Sequence, residues 1–404
     1  MSALAFVNIG KLYLGDGGVL EDASVLVDGT EVREVHSSPT FDHGLEDHQV
    51  VDVKNQVMTP GLVDGHTHAI FEGSRAFELE LKLQGLSYVE VQEQGGGINH
   101  TTSRTRAASN DSLATKLKAY CDMAMAAGST SIEVKTGYVL EPEGELRMLE
   151  VIDQVNKEHP VTLVPTFLGA HLVPPEYKDK PQTYVDLMID LLPEVKKQGI
   201  AVFSDVFCDQ GAFNVDQTLA MVDKSVELDL PVRLHGEEIV RTGIARISAE
   251  RYGGEWVTSV DHLLKATEED FQVMAEKGVT ATFMPIGPVV LFDHHWPQWD
   301  VLRKTGVRVG LGSDFNPNSY FHSMQMVLSF ATYFMRIPPT EALVAATRNN
   351  ADSLLLKDRG LVEVGKRADL CIFAVSEIAE VPYRWGINNV RMVVKDGKIV
   401  VDNR

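Results

Sequence analysis

Cysteine is scarce: Cys121, Cys208 and Cys371 are the only three in 404 residues, and none belongs to a CxxC pair. An odd number of scattered thiols argues against a disulfide framework and a sulfur-held zinc, and fits a reducing compartment. No run approaches the ~20 apolar residues that a membrane helix needs, and Met1-Ser-Ala-Leu-Ala-Phe6 lacks the basic region of an export signal. The expected location is the cytoplasm. Basic charge is also in deficit, with 37 Lys and Arg against 57 Asp and Glu and a net charge of −20. That field opposes phosphate backbones and anionic membranes, so neither is expected as a partner. A small anionic substrate would need a cation fixed inside its pocket, and Arg75 is the candidate.

What the chain does have is His66 and His68, one residue apart, after the Pro60-Gly61 break and the apolar Leu62-Val63. Residues i and i+2 of an extended strand point to the same side, so both imidazoles can converge on one cation. A metal-dependent hydrolase is the first reading.

Short apolar, β-branched runs alternate with helical patterns over residues 58–357. Eight can be counted, at 62–63, 131–135, 161–164, 201–207, 232–235, 257–260, 279–283 and 307–311. This alternation predicts a (β/α)8 TIM-like barrel, with its site at the C-terminal ends of the strands. Asp111 is the expected cap of a helix carrying Leu113, Leu117 and Tyr120, and Asn214 with Gln217 reads as a capping box. Residues 1–57 and 358–404 instead show period-2 strands and glycine turns, which predict one small composite β-sandwich domain.

Three more polar residues fall at strand ends: His235, His262 and Asp314. A catalytic zinc takes three protein ligands plus water, and iron accepts the same donors. His66, His68, His235 and Asp314 are assigned to one divalent or trivalent ion per subunit, zinc or iron, with Asp314 also accepting the water's proton. Such an ion would acidify water into a nucleophile at neutral pH. Glu238 is the expected proton shuttle to a departing nitrogen, with Glu237, read as an exposed solvated acid, as its rival. His262, if not a ligand, would donate to a developing oxyanion. The fourth run, around Ser204, Asp205 and Cys208, lacks the lysine that often bridges two metals, which favours a single ion; Lys135 is either an internal charge partner or a substrate contact.

The segment Pro60-Gly-Leu-Val-Asp-Gly-His-Thr-His68 resembles the signature of the amidohydrolase superfamily. Arg75 with Glu78, Gly95-Gly-Gly-Ile98, Glu133-Val-Lys-Thr-Gly-Tyr138, Thr166-Phe-Leu-Gly-Ala-His171, Val173-Pro-Pro-Glu-Tyr177, Asp205-Val-Phe-Cys208 and Asp314-Phe-Asn-Pro317 resemble, in order, the imidazolonepropionase family within it. Gly365-Lys-Arg-Ala-Asp-Leu370 resembles the superfamily's return to its β-domain. The resemblance implies metal-dependent hydrolysis of the cyclic amide of 4-imidazolone-5-propanoate to N-formimidoyl-L-glutamate, without ammonia release. It implies that Arg75 holds the propionate, that Tyr138 and His171 meet ring and carboxylate, that Glu238 and His262 transfer protons, and that Asn316, Asn318 and Ser319 touch substrate or product. It also implies a homodimer.

The chain departs from the family at Asn318, where glycine is usual; this implies a positive-φ backbone, which Asn tolerates better than most residues. Ser74 stands where Asp is commoner. His100, just after the triple glycine, is a solvated loop residue or enters the pocket, and His294-His295 beside Trp296 and Trp299 suggest a lid. Two alternatives compete: a guanine- or cytosine-type deaminase of the same superfamily, and a catalytically dead scaffold. Ammonia release separates the first, and stoichiometric metal argues against the second.

Overall fold

The computed structural model describes residues 3–86, 90–91 and 94–403. Eight parallel strands form the barrel: β6 (Leu62–Asp64), β7 (Ser129–Lys135), β8 (Thr162–Ala170), β9 (Phe203–Cys208), β10 (Val232–Gly236), β11 (Val257–His262), β12 (Thr280–Phe283) and β13 (Val309–Leu311). Each pairs in parallel with its sequence neighbour. The eight predicted runs thus coincide with the eight strands, although β8 and β11 run on past the apolar stretches that announce them.

The seam between β13 and β6 is closed by hydrogen bonds from Gly65 N to Leu311 O (3.2 Å), Asp314 N to His66 O (3.0 Å) and His68 N to Phe315 O (2.9 Å). Asn350 reinforces it: its Nδ2 donates to Val63 O and Leu311 O, both at 2.6 Å, and its Oδ1 accepts from Leu311 N at 2.9 Å. The seam therefore fixes the backbone of His66, His68 and Asp314.

The flanking strands β1 (Ala3–Tyr13), β2 (Val19–Asp28), β3 (Glu31–His36), β4 (His48–Asp52), β5 (Val57–Pro60), β14 (Leu370–Phe373), β15 (Val390–Lys395) and β16 (Lys398–Asp402) share one sheet. Their order is β16-β15-β14-β5-β1-β2-β3, with β4 also on β1. The pairing of β1 with β2 is irregular between Phe6 and Ile9; the first part of β1 pairs with β4 and the last with β5. A bulge bends a strand, so the sheet folds over its own core of Leu4, Phe6, Ile9, Val25, Met58, Leu370 and Met392. Asp396 and Gly397, both at positive φ, make the tight β15–β16 turn. A Cβ at 397 would lie 1.9 Å from Gly29 O, so only glycine fits.

One helix start differs from expectation. The cap of helix Asn110–Ala126 is Ser109, whose side chain accepts from Ser112 N, and Asp111 sits in the first turn, where its charge favours the helix dipole. Ser and Asp are both good caps, and sequence spacing does not separate neighbours. Asn214 with Gln217 does form the predicted capping box on helix Val215–Glu227.

Candidate active site

The strand ends bring His66, His68 and His235 together. Nε2 of His68 lies 3.2 Å from Nε2 of His66 and 3.2 Å from Nε2 of His235. Nδ1 of His66 faces Asp261 Oδ2 at 2.7 Å, and Nδ1 of His235 faces Asp205 Oδ1 at 3.0 Å. A carboxylate only accepts, so both Nδ1 atoms carry hydrogen and both Nε2 atoms present lone pairs. His68 Nε2 faces both lone pairs and could donate a hydrogen to only one of them, with its Nδ1 left without a partner among the described residues, whereas a cation among the three satisfies all of them. The donor set therefore fits a metal ion. Asp314 Oδ1 stands 3.7 Å from Nε2 of both His66 and His68 and completes the proposed set from the fourth side. Burial holds the three histidines well below their ordinary pKa, hence neutral, and raises Asp314 to about 7. Asp314 also takes a left-handed backbone, φ 50°.

Beneath this cluster lies a fully buried ionic layer. Lys135 Nζ contacts Glu133 Oε1 and Asp205 Oδ2, each at 2.7 Å, and Asp261 Oδ2 at 3.5 Å. Arg233 contacts Glu133 at 3.1 Å and Asp261 at 3.2 Å and donates to Gly65 O. Lys135 is thus an internal charge partner and does not line the cavity. Asp205 and Asp261 serve both layers, since each also receives a histidine Nδ1–H.

Above the histidine cluster opens a cavity of about 260 Å³. All nine residues assigned from sequence to catalysis or to substrate line it: Arg75, Tyr138, His171, Glu238, His262, Asp314, Asn316, Asn318 and Ser319, joined there by His68 and His235, while His66 lies below its floor. Arg75 is clamped by Glu78 through Nε to Oε1 (2.6 Å) and Nη2 to Oε2 (2.9 Å), and Glu78 Oε1 also accepts from Gly97 N. The triple glycine thus contributes a backbone donor to the acid that aims the arginine. His171 donates Nδ1–H to Gly137 O at 3.0 Å and stacks on His68 with ring centroids 4.9 Å apart. Its Nε2 is therefore an acceptor.

Glu238 lies beside His262, Oε1 to Nδ1 3.4 Å. Burial, then the nearby Asp314 and Asp209, push the Glu238 carboxyl well above its usual range; burial lowers His262 to about 4. Asp209 fixes the loop by accepting from the backbone N–H of Glu238, Ile239 and Val240. Asn316 organises its own turn: Oδ1 accepts from Asn318 N and Ser319 N, and Nδ2 donates to Asp314 O. One amide hydrogen is left for the cavity. Ser319 Oγ and His262 Nε2 are buried with no hydrogen-bond partner among the described residues, as expected of atoms awaiting a ligand.

Several expectations fail. Glu237 is fully buried, not solvated; at φ 57° it accepts from Thr242 N and Ala245 N and shapes the loop before helix Ile244–Trp256. Asn318 does not have a positive φ; the strained residue of that loop is Asp314. His100 belongs to the first turn of helix Gly97–Ala107 and packs edge-on against Phe77, away from the cavity. His294 and His295 line a separate shallow hollow with Trp296, although Asp293, which pairs with Lys265 and His295, does line the main cavity.

Sequence reasoning missed Asp261, Arg233, Glu133 and Asp209. The signal for three of them was period 2: Glu133 shares a strand face with Lys135, Arg233 with His235, and Asp261 with Ser259.

The sequence profile of the amidohydrolase family matches residues 57–400. The imidazolonepropionase of Alkaliphilus metalliredigens is 40% identical over 390 residues, covering 95% of this chain and 91% of that protein. That of Geobacillus kaustophilus is 38% identical over 400 residues, covering 97% and 93%. Among solved structures, a zinc-bound adenosine deaminase from Xanthomonas campestris superposes with a TM-score of 0.72 at 18% identity, over 99% of this chain and 93% of that one. N-isopropylammelide isopropylaminohydrolase from Burkholderia multivorans gives 0.72 at 18%, over 100% and 99%. These two likenesses speak for the fold. The chain belongs to the amidohydrolase family and, within it, to the imidazolonepropionases.

Proposed function

We propose that the cavity binds 4-imidazolone-5-propanoate and adds water across its cyclic amide, giving N-formimidoyl-L-glutamate. The observation that carries this is the pairing, within one cavity, of a histidine cluster on the floor with a clamped arginine on the wall. A ring amide bearing a carboxylate fits between them. His66, His68, His235 and Asp314 would hold one ion, zinc or iron, which when bound supplies acidified water and a polarised carbonyl.

The chain's own groups handle position and protons. Arg75 takes the propionate, and Tyr138 flanks the ring. His171, with Nδ1–H committed to Gly137, offers its Nε2 lone pair to a ring N–H. Asp314, at the edge of the histidine cluster, accepts the proton of the attacking water. Glu238 carries a proton to the ring nitrogen as the carbon–nitrogen bond breaks. A protonated Glu238 donates to His262 Nδ1, which leaves His262 Nε2–H facing the developing oxyanion. One water enters, one C–N bond opens, and both its protons end on the product's carboxyl and nitrogen groups, so no ammonia leaves.

The barrel at 58–357 and the composite unit of 1–57 and 358–404 are proposed as the two domains, the homodimer as the working state and the cytoplasm as the location. Among the described residues, no helix is long and apolar enough to cross a membrane. Light scattering tests the dimer. A deaminase is not favoured, because relatives at 36–40% identity over nearly the whole chain are imidazolonepropionases. The test is a panel of the imidazolone and of purine and pyrimidine amines given to the metal-loaded protein. Loss of imidazolone absorbance alone supports the reading, and ammonia release from an amine overturns it.

A further inference from the structure

The clamped arginine leaves a charge question. Arg75 and Glu78 are both buried and held in a two-bond ion pair, so together they bring no net charge to the cavity. Among the described residues, the other ionisable side chains on its walls, apart from its histidines and Tyr138, are acids: Glu238, Asp293 and Asp314. A carboxylate entering this space in a protein of net charge −20 gains from a second cation. One stands just behind the wall. Lys82 is four residues after Glu78, on the same short helix Glu78–Leu83, and its Nζ donates to Asn318 Oδ1 at 2.5 Å and to Val290 O at 3.5 Å. Among the described residues it has no carboxylate within ion-pair distance.

The contact has a chemical consequence. An ammonium donates and cannot accept, so the atom of Asn318 that meets Lys82 must be the oxygen. The amide group is planar, and its NH2 then points away from the lysine. Asn318 lines both the catalytic cavity and the apolar hollow behind it, where Lys82 lies. Its backbone N–H is bound to Asn316 Oδ1, and among the described residues its side-chain NH2 has no partner.

We propose that Lys82 is a positioning residue for substrate recognition: by holding Asn318 Oδ1 from behind, it presents the Asn318 NH2 to the cavity as a donor for the substrate's carboxylate. One helix then aims two carboxylate-binding groups, Arg75 through Glu78 and Asn318 through Lys82. The lysine polarises the amide and makes its N–H a stronger donor. The reading rests on the proposed anionic substrate, and it identifies what the side chain at 318 contributes.

The test measures binding of imidazole-4-propanoate and of its neutral amide to the metal-loaded protein by calorimetry, together with KM and kcat for the imidazolone. Lys82→Met should weaken the anion about tenfold, the scale of one charge-assisted hydrogen bond, and leave the neutral amide unchanged. KM should rise in parallel while kcat stays within about twofold, and Lys82→Arg should recover most of the loss. In an Asn318→Gly background, Lys82→Met should change anion affinity less than about twofold, because the relay is already gone. Equal losses in both backgrounds, equal losses for anion and amide, or an unchanged anion affinity would each overturn the proposal. Should Lys82→Met fail to fold, Asn318→Asp against Asn318→Gly decides: an oxygen in place of the NH2 must weaken the anion more than deletion does, and equality overturns the relay. Turnover of the imidazolone by the unaltered protein is read separately, so a wrong substrate and a wrong relay give different results.

Discussion

Nδ1 of His66 lies 2.7 Å from Oδ2 of Asp261, and this contact decides which ring nitrogen faces the metal site. Asp261 is itself held from below by Arg233 Nη2 at 3.2 Å and by Ser259 Oγ at 2.5 Å. The tautomer of a proposed metal ligand is thus written into the ionic layer of the barrel. Asp261→Ala should weaken metal binding about 10- to 100-fold, the usual effect of losing a carboxylate behind a ligating histidine. Asp261→Asn keeps an acceptor oxygen and should lose less. Competition against a calibrated chelator measures both. His68→Ala removes a ligand directly and should lose metal and turnover together; retained metal would take His68 out of the site.

Arg75→Ala should act on binding. Its guanidinium is buried against Glu78, so truncation both removes the carboxylate contact and strands an acid, at a cost of roughly 2–5 kcal/mol in affinity for the anion. KM should rise far more than kcat falls. Normal affinity for the anionic substrate would remove Arg75 from the recognition site.

Much of this was legible because strands and metal ligands leave local marks. A His-x-His pair after an apolar run projects two imidazoles the same way wherever the strand lies, and His235 and Asp314 close other runs. Glu237 was misread because an acid beside another acid carries no sign of burial; its burial depends on backbone N–H groups five and eight residues later. Asp261 and Arg233 pair across neighbouring strands, 28 residues apart, and only the barrel's register brings them together. Lys82 and Asn318 are 236 residues apart, which no local pattern reveals.

Lys135→Met should destabilise the barrel. Glu133, Asp205 and Asp261 would lose the ammonium that touches all three, and breaking such a buried cluster costs about 3–5 kcal/mol. Adding Asp205→Asn should recover part of that loss, since one fewer charge is then stranded. Denaturant titration of the metal-loaded protein measures the difference; an unchanged midpoint for the single variant contradicts the account.

Acid stability has a marker at the return to the small sheet. Burial raises the Asp358 carboxyl, but hydrogen bonds from Arg359 and Arg367 outweigh it and hold the group at about 2. A carboxyl depressed by folding adds stability above its unfolded pKa of about 3.9, and that contribution fades as pH falls toward 2. The carboxyl is 44% exposed, so solvent screening keeps the gain to within about 1 kcal/mol. Asp358→Asn should therefore melt slightly lower than the unaltered protein at pH 7, with the gap closing by pH 2. A gap that persists unchanged at pH 2 would rule out this pair as its source.

The central claim is ring-opening hydrolysis at the histidine cluster, and the most direct measurement is turnover of 4-imidazolone-5-propanoate in ¹⁸O-water with product mass and ammonia followed together. The account predicts a product heavier than the substrate by one water, one ¹⁸O in its new carboxyl group, and no ammonia. A product that retains the ring, or release of ammonia in step with turnover, would contradict it.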